Sequence, residues 1–428
     1  MSKKQYRPKN TYSKDSKIVE KTDEPVTYAS LLKTIVPKIE AKNHYVTKKS
    51  APLVHLDYHE ELRIKEKAFD LYWDHFKLPG KPAPLIASPM GRQYRTTSKR
   101  KTLHKGRILY LLFGDKALST QKWPFVESPL EPPEHGRIYS FLQAKLSEPP
   151  YKLLATHLNY LIIRGSYSEQ SVIFNVDALN GPLVRKLKMI AEHLKKLDKS
   201  ITGAYIYTDP SSSDYYLEAR QPVDLLNFKK LYGKGDVAVT HQKHRYRFHP
   251  TSFSQVNESM VPVMLEQARK LLDPGSNEVL IDLYCGYGLF SHYLAADYNQ
   301  VLGIDGEGPS IRSAVANKKL NPASRKTKFL ARWITENTIE DIQPFAASLT
   351  ETVILDPPRQ GPKDGVIAAL CLREPHKVLH IHCGVDQIPS SIEQWQQGGY
   401  QVEKIVPMDM FPGTPNLEVL ILLTPANS

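Results

Sequence analysis

The chain has 428 residues, 41% of them apolar, and a formal net charge of +12, which suits more than one packed domain and a polyanionic partner such as nucleic acid. No apolar run approaches the roughly 18 to 20 residues of a membrane span, and the opening MSKKQYRPKN lacks the apolar stretch of a signal peptide. Three cysteines without a C-x-x-C pair argue against a disulfide framework and against a zinc or iron–sulfur cluster. We expect a cytoplasmic, monomeric protein without membrane contact or bound metal.

Residues 1–55 form the first segment, which is rich in lysine, serine, threonine and tyrosine. Only the run YASLLKTIVPKIE (28–40) has the spacing of a short helix. The segment is predicted to be a basic, partly disordered extension. It is either a solvated tail or an arm that follows a phosphate backbone.

Residues 56–250 are predicted to form an α+β, mostly antiparallel region that binds the substrate. Apolar residues at helical spacing in EELRIKEKAFDLYWDHF (60–76) predict a packed helix, and GPLVRKLKMIAEHLKKL (181–197) predicts a helix across the sheet. Short alternating runs bounded by turn residues predict the strands. These runs are RILYLLFG (107–114), LNYLIIRGSY (158–167), QSVIFNVDA (170–178) and GAYIYTD (203–209).

A basic stretch, SPMGRQYRTTSKRKTLHKGR (88–107), precedes the predicted sheet. It interleaves Tyr94 with Arg92, Arg95, Lys99, Arg100 and Lys101. Aromatic stacking combined with phosphate contacts is typical of RNA binding, so Tyr94 and Arg95 are candidate substrate-binding residues. A solvated basic face is the alternative interpretation.

Residues 251–428 alternate helices with apolar strands, which predicts a parallel sheet covered on both faces. The strand in EVLIDLYCGYGLFSHYLA (278–295) leads into a turn with Gly286 and Gly288, where doubly wound folds bind nucleotides. Ser291 replaces the third glycine of a dinucleotide site, which favours a single nucleoside. Asp305 ends the next strand at the spacing of a ribose-binding carboxylate, although a helix cap would also explain it.

A third strand, ETVILDPPRQG (351–361), ends in Asp356, two prolines and Arg359. The prolines end the strand and fix a rigid loop, so Asp356 lies at the carboxyl edge of the sheet beside the glycine turn. In amino-group methyltransferases the analogous loop usually ends in an aromatic residue that stacks on the base. Arg359 at that point argues against methylation of nitrogen.

Cys383 ends the strand in VLHIHCGVDQIP (378–389) and has two interpretations. Most free cysteines are small buried residues, but one at the carboxyl end of a strand can be a nucleophile. Cys285 and Cys371 are predicted to pack. His380 and His382 lack partners at metal spacing and are also predicted to pack.

Four motifs in order carry a family resemblance: FSQVN (253–257), DLYCGYGLF (282–290), DPPRQG (356–361), and HIHCG (380–384) together with MDMFPGTPNLE (408–418). With these motifs the sequence resembles the RNA uracil-5 methyltransferases, S-adenosylmethionine enzymes that make 5-methyluridine in tRNA or rRNA. The resemblance covers residues 245–425 well and 80–245 loosely. It implies a C-terminal class I methyltransferase domain, with a seven-stranded Rossmann-like sheet whose final strand is reversed.

The resemblance also implies the roles of individual residues. Cys383 would be the nucleophile and Glu418 the general base. Arg359 is placed to pair with developing negative charge or a phosphate. The residues that would hold S-adenosylmethionine are Gln255, Tyr284, Gly286, Gly288, Asp305 and Asp356.

The chemistry gives an independent reason for a thiol and a carboxylate. Carbon 5 of uracil is a poor nucleophile until a thiolate adds at carbon 6, and the adduct breaks down only after a base removes the proton at carbon 5. A second hypothesis, a catalytically impaired RNA-binding or assembly factor on a methyltransferase scaffold, rests on departures from the family pattern at Leu289 and around Cys383. A third is methylation of another carbon or nitrogen.

Overall fold

A computed structural model describes residues 25–36, 51–113, 127–209, 228–306 and 308–426. Of the predicted N-terminal extension, residues 1–55, the ranges 1–24 and 37–50 lie outside the described residues. Across the described ranges, no helix is long and apolar enough to cross a membrane.

Two N-terminal helices pack on the C-terminal sheet. Helix α1 (Tyr28–Ile35) begins at a capping box formed by Thr27 and Ser30, and α2 (Tyr58–His75) is capped by Asp57. The buried face of α2 joins the same hydrophobic core as residues of the C-terminal strands. Helix α1 is the helix predicted within residues 28–40. Its buried residues Tyr28 and Leu32 belong to the same core as α2 and the C-terminal strands.

A six-stranded sheet follows, in the order β2-β1-β3-β4-β5-β6. All neighbours are antiparallel except β4 and β5, which α5 connects as a crossover helix. The elements are β1 (Thr97–Lys105), β2 (Ile108–Leu112), α3 (Pro133–Leu146), α4 (Lys152–Thr156), β3 (Leu158–Gly165), β4 (Gln170–Val176), α5 (Gly181–Leu197), β5 (Ile201–Thr208) and β6 (Phe228–Gly233). This is the predicted α+β, mostly antiparallel region.

A short hairpin and a seven-stranded sheet complete the chain, the latter in the order β11-β10-β9-β12-β13-β15-β14. Strands β9 to β13 run parallel, whereas β15 is antiparallel to both of its neighbours. The elements are β7 (Val237–His241), β8 (His244–Phe248), α6 (Val261–Leu272), β9 (Glu278–Leu283), α7 (Leu289–Tyr293), β10 (Gln300–Asp305), α8 (Pro309–Asn317), β11 (Lys328–Ala331), α9 (Glu336–Glu340), β12 (Thr350–Leu355), α10 (Val366–Arg373), β13 (Lys377–His382), α11 (Ile388–Gln397), β14 (Tyr400–Met408) and β15 (Glu418–Pro425). The predicted α/β fold, with its reversed final strand, is confirmed.

Candidate active site

The candidate site lies at the carboxyl edge of the seven-stranded sheet. Strands β9, β10, β12 and β13 are parallel, so the residues that follow them meet at one edge. The order of the strands places the glycine turn after β9 between the ends of β10 and β12. Ligands of open α/β sheets bind at such a point.

The turn after β9 uses backbone conformations that glycine adopts without strain. Tyr284, Gly286 and Gly288 all have positive φ, at 63°, 57° and 84°. A Cβ at Gly286 would meet nothing within 4 Å, so the turn borders open space. A Cβ at Gly288 would lie 2.7 Å from the His292 ring, so only glycine fits there.

Two aspartates hold this turn and the helix that follows it. The Asp305 carboxylate accepts a hydrogen bond of 2.7 Å from the Gly286 backbone N–H. The buried Asp282 carboxylate accepts from the Ser291 N–H at 2.9 Å and from the Ser291 hydroxyl at 2.5 Å, while the Asp282 Oδ1 has no partner among the residues that the structure describes. Burial raises the pKa of Asp282 to about 7, and it also raises the pKa of Asp305. The carboxylate beside the turn and the open space over Gly286 fit a nucleoside.

Asp356 and Tyr284 occupy neighbouring positions beyond the ends of β12 and β9. The Asp356 N–H donates to the Leu283 carbonyl at 3.4 Å, which ties the two strand ends together. Burial, with Asp282 and Asp305 nearby, raises the pKa of Asp356 to about 7. The pKa of Tyr284 rises to about 12, mainly because its hydroxyl is desolvated. The structure therefore brings these two candidate residues to the glycine turn.

Cys383 and Glu418 are brought together by the register of β13 and β15. The last pair of this antiparallel ladder joins His382 to Val419. Cys383 follows His382 and Glu418 precedes Val419, so the two residues lie at the same end of this ladder, near enough for the Glu418 carboxyl group to affect the Cys383 thiol. The Cys383 Sγ is also 3.7 Å from the Pro357 carbonyl oxygen, so the thiol contacts the Asp-Pro-Pro loop.

The charges around this pair affect both groups. Burial raises the pKa of the Cys383 thiol, with Glu418 and then Asp356 adding to the shift, while the Arg359 guanidinium opposes it. Burial also raises the pKa of Glu418 well above its usual range, Asp356 adds to that shift, and Arg359 again opposes it. The Glu418 side chain is only 1% exposed, and within the described part of the chain its Oε2 has no hydrogen-bond partner. A buried, unpaired carboxyl oxygen beside a thiol is costly for stability alone and is typical of a functional site.

Arg359 is exposed, and its guanidinium carbon lies 5.6 Å from the centre of the Phe411 ring. This cation–π contact joins the Asp-Pro-Pro loop to the loop between β14 and β15. Phe411 did not emerge from the sequence as a site residue. Its only signal was its place in the motif MDMFPGTPNLE.

Gln255 is half-buried in the segment that precedes α6. The segment is anchored by Asn257, whose amide donates to the Ser88 hydroxyl at 3.0 Å and to the Met410 carbonyl at 3.1 Å. This anchor ties the FSQVN motif to the loop that leads to Glu418. The sequence identified the motif, but its tie to that loop depends on long-range packing.

The basic stretch before the antiparallel sheet differs from its sequence prediction. Tyr94 is 0% exposed, and its hydroxyl donates to the Pro412 carbonyl at 2.9 Å. Its ring is part of the interior and cannot stack on RNA, so the prediction was wrong for Tyr94. Arg95 is half-buried and donates to the Thr97 carbonyl at 3.1 Å. Arg100 is buried in a two-point ion pair with Glu131.

The other cysteines and the strand histidines pack in the interior. Cys285 is buried in a small apolar cluster, and Cys371 is half-buried on α10. The rings of His380 and His382 lie 3.8 Å apart, and His380 accepts a hydrogen bond from the Trp395 indole at 3.2 Å. Burial lowers the pKa of both histidines, so they are neutral at physiological pH. Across the described part of the chain, no group of three or more metal-ligating side chains is found.

The parallel sheet with a reversed last strand, together with a glycine turn at its carboxyl edge, defines a class I methyltransferase fold. A solved structure supports this: a Pyrococcus abyssi tRNA (uracil-54, C5)-methyltransferase in complex with S-adenosyl-L-homocysteine superimposes with a TM-score of 0.65. The two share 21% identity, over 88% of this chain and 86% of that one. At this identity the likeness shows the fold alone.

Sequence comparison then identifies the family. The model of the tRNA (Uracil-5-)-methyltransferase family matches residues 212–426, half of the chain. The protein therefore belongs to that family. A 23S rRNA (uracil(1939)-C(5))-methyltransferase RlmD of a Marinomonas species is 30% identical over 60% of this chain and 61% of its own length. The same-named protein of Vibrio campbellii is 26% identical over 89% of this chain and 80% of its own length.

Proposed function

We propose that the protein transfers a methyl group from S-adenosylmethionine to carbon 5 of a uridine in structured RNA, either tRNA or rRNA. One observation carries this proposal: the β13–β15 register brings the Cys383 thiol near the buried Glu418 carboxyl group and Asp356, and one Glu418 oxygen has no hydrogen-bond partner among the described residues. Membership of the uracil-5 methyltransferase family supports the choice of target atom. The named relatives support RNA as the substrate, since they act on rRNA or tRNA.

The cofactor would lie against the glycine turn at the ends of β9 and β10. Asp305 would accept hydrogen bonds from a ribose diol, and the open space over Gly286 would let the ligand approach the backbone. Tyr284, Gln255 and Asp356 would complete the site. When bound, S-adenosylmethionine supplies a methyl group activated by a positive sulfonium. That charge is also expected to favour the ionised forms of the neighbouring carboxyl groups.

The two residues of the β13–β15 pair would divide the chemistry. The Cys383 thiolate forms a bond to carbon 6 of uracil, which makes carbon 5 nucleophilic enough to accept the methyl group. The Glu418 carboxylate then takes the proton from carbon 5. The carbon 5–carbon 6 double bond re-forms as the sulfur–carbon bond breaks, which returns the thiolate. Arg359 is placed to stabilise negative charge on the base or a neighbouring phosphate.

The test is methyl transfer to RNA. The protein would be incubated with methyl-labelled S-adenosylmethionine and unmodified total RNA, and the digested nucleosides would be identified by mass spectrometry. We expect labelled 5-methyluridine, abolished by Cys383→Ala and retained by Cys371→Ala, since Cys371 on α10 lies against Gly398, near the end of β15 opposite to Glu418. A Cys383→Ala protein that methylates at the parent rate would contradict the proposal. RNA binding without any labelled nucleoside would favour the RNA-binding or assembly-factor alternative.

A further inference from the structure

The loop between β14 and β15, residues 409–417, connects two parts of the candidate site. Glu418 follows the loop directly, and Phe411 within it contacts Arg359. Any displacement of the loop would therefore move the proposed base and the aromatic ring together. The contacts that hold this loop in place are distinct from the groups that would carry out the chemistry.

Four successive carbonyl groups of the loop are held by residues from outside the hairpin. Each accepts a hydrogen bond of 2.9 to 3.1 Å from a different donor. The donors are the Asn257 amide to Met410, the Lys65 ammonium to Phe411, the Tyr94 hydroxyl to Pro412 and the Leu53 backbone N–H to Gly413. Three of these donors lie in the N-terminal part of the chain, before the antiparallel sheet begins.

A buried network of charges lies at the centre of these contacts. The Lys65 ammonium on α2 is 2.8 Å from the Asp409 carboxylate and 3.0 Å from the Glu61 carboxylate, and all three side chains are fully buried. Glu61 also accepts from the Gly413 N–H at 2.5 Å and pairs with Arg92 at 2.9 Å. The positive charges of Lys65 and Arg92 therefore balance the negative charges of Glu61 and Asp409.

Such a network is an unusual choice if stability alone is its role. Desolvating three charged groups completely and Arg92 in part is expensive, and apolar replacements of similar volume are often as stable or more so. The network instead fixes the position of the loop. The Lys65 ammonium contacts Asp409, the first residue of the loop, and the Phe411 carbonyl, while the Glu61 carboxylate accepts from the Gly413 N–H. A buried network whose charges are paired favours one arrangement of the chain.

We propose that the network of Lys65, Glu61, Asp409 and Arg92 is a positioning device. It holds the loop 409–417 so that Phe411 and Glu418 face the substrate uracil, and it makes α2 part of the catalytic apparatus. The effect on catalysis rests on the proposed function of Glu418. The effect on the loop itself does not.

Lys65→Met tests the network, because it keeps the length of the side chain and removes the charge. At a temperature well below that of unfolding, we expect the kcat for RNA methylation to fall at least tenfold. The Kd for S-adenosyl-L-homocysteine should stay within twofold of the parent value. We also expect hydrogen–deuterium exchange in peptides spanning 410–417 to become at least tenfold faster. Unchanged kcat or unchanged exchange in this loop would overturn the inference.

A charge-balanced double variant, Lys65→Met with Asp409→Asn, separates positioning from stability. It leaves the Glu61–Arg92 pair intact and removes the uncompensated carboxylate, so it should recover thermal stability relative to the single variant. The Phe411 carbonyl still lacks its contact from α2 and keeps only those from Thr414 within the loop itself, so we expect kcat to stay low. Recovery of kcat in parallel with stability would show a merely structural role and would overturn the inference.

Lys377→Met provides the matched control. Lys377 also contacts one carboxylate, that of Glu278 at 3.3 Å, and two backbone carbonyls, but it lies at the opposite edge of the same sheet. We expect lower stability with kcat within twofold of the parent. If the parent protein itself methylates no RNA, the proposed function fails, while the exchange measurement still decides whether the network holds the loop.

Discussion

Asp282 shows how strongly the site depends on single residues. It is the second-last residue of the apolar strand β9, is 0% exposed, and uses one carboxyl oxygen to hold Ser291 in the first turn of α7. The free energy cost of ionising it there is reflected in its pKa, which rises from 3.8 to about 7. An acid whose pKa is raised on folding stabilises the protein below its unfolded pKa, and that contribution is lost as the pH rises through the folded value.

We therefore predict a pH-dependent difference between the parent and Asp282→Asn. The asparagine oxygen can still accept from Ser291, but it does not titrate. Between pH 4 and pH 7 the free energy of unfolding of the parent should fall relative to that of the variant by at least about 1 kcal/mol, and above pH 7 the difference should level off. Urea unfolding across this range measures it, with Asp341→Asn as an exposed control. A difference that is constant with pH would contradict a raised pKa at Asp282.

Residues in the sequence motifs could be predicted because they stand at the ends of recognisable strands. Cys383, Asp305 and Asp356 each follow a buried apolar run, so their placement at one edge followed from the parallel topology. Tyr94 could not be predicted this way. Its burial depends on a hydrogen bond to Pro412, 318 positions along the chain, and no local pattern indicates such a contact.

Strands and helices could also be predicted where the local sequence determines them, and were missed where contacts with distant residues do. Helix α5 was predicted well, because its apolar residues repeat at helical spacing and Asn180 caps its first turn. Strand β1 was missed, since its sequence TSKRKTLHK is dominated by charge and was interpreted as an RNA-binding stretch. Its pairing with β2 and β3 on both sides makes it a strand despite this composition.

The turn between β9 and α7 allows a prediction about an element. Gly288→Ala would force a non-glycine residue to φ 84° and bring its Cβ to 2.7 Å from the His292 ring, which is itself held by the Ala314 carbonyl at 3.0 Å. The turn would have to shift, so we expect the Kd for S-adenosyl-L-homocysteine, measured by calorimetry, to rise at least tenfold. The strain of the backbone alone is about 1 to 2 kcal/mol.

Gly106→Ala is the control for this variant. Gly106, in the β1–β2 turn, also has a positive φ of 65°, but a Cβ there would meet nothing within 4 Å. It should lower stability by a comparable backbone strain and leave the affinity for S-adenosyl-L-homocysteine within twofold of the parent. If both variants weaken binding equally, the close approach at Gly288 is not what shapes the cofactor turn.

At the scale of the whole molecule, the N-terminal helices belong to the methyltransferase core. Tyr28 on α1 donates its backbone N–H to the Asp386 carboxylate at 2.7 Å, just beyond Cys383, and α2 contacts the loop before Glu418. The sequence predicted both helices but assigned them to an extension and to the substrate-binding region. Amphipathic spacing predicts that a helix is buried, but it does not indicate which sheet will cover it.

The central claim, a covalent step at Cys383 during methylation of carbon 5, is tested most directly by trapping the adduct. RNA carrying 5-fluorouridine would be incubated with the protein and S-adenosylmethionine, because fluorine at carbon 5 cannot be removed as a proton by Glu418. We predict a denaturation-resistant protein–RNA adduct whose digested peptide carries a methylated fluorouridine on Cys383. Methylated RNA without any adduct, or an adduct on another residue, would contradict the account.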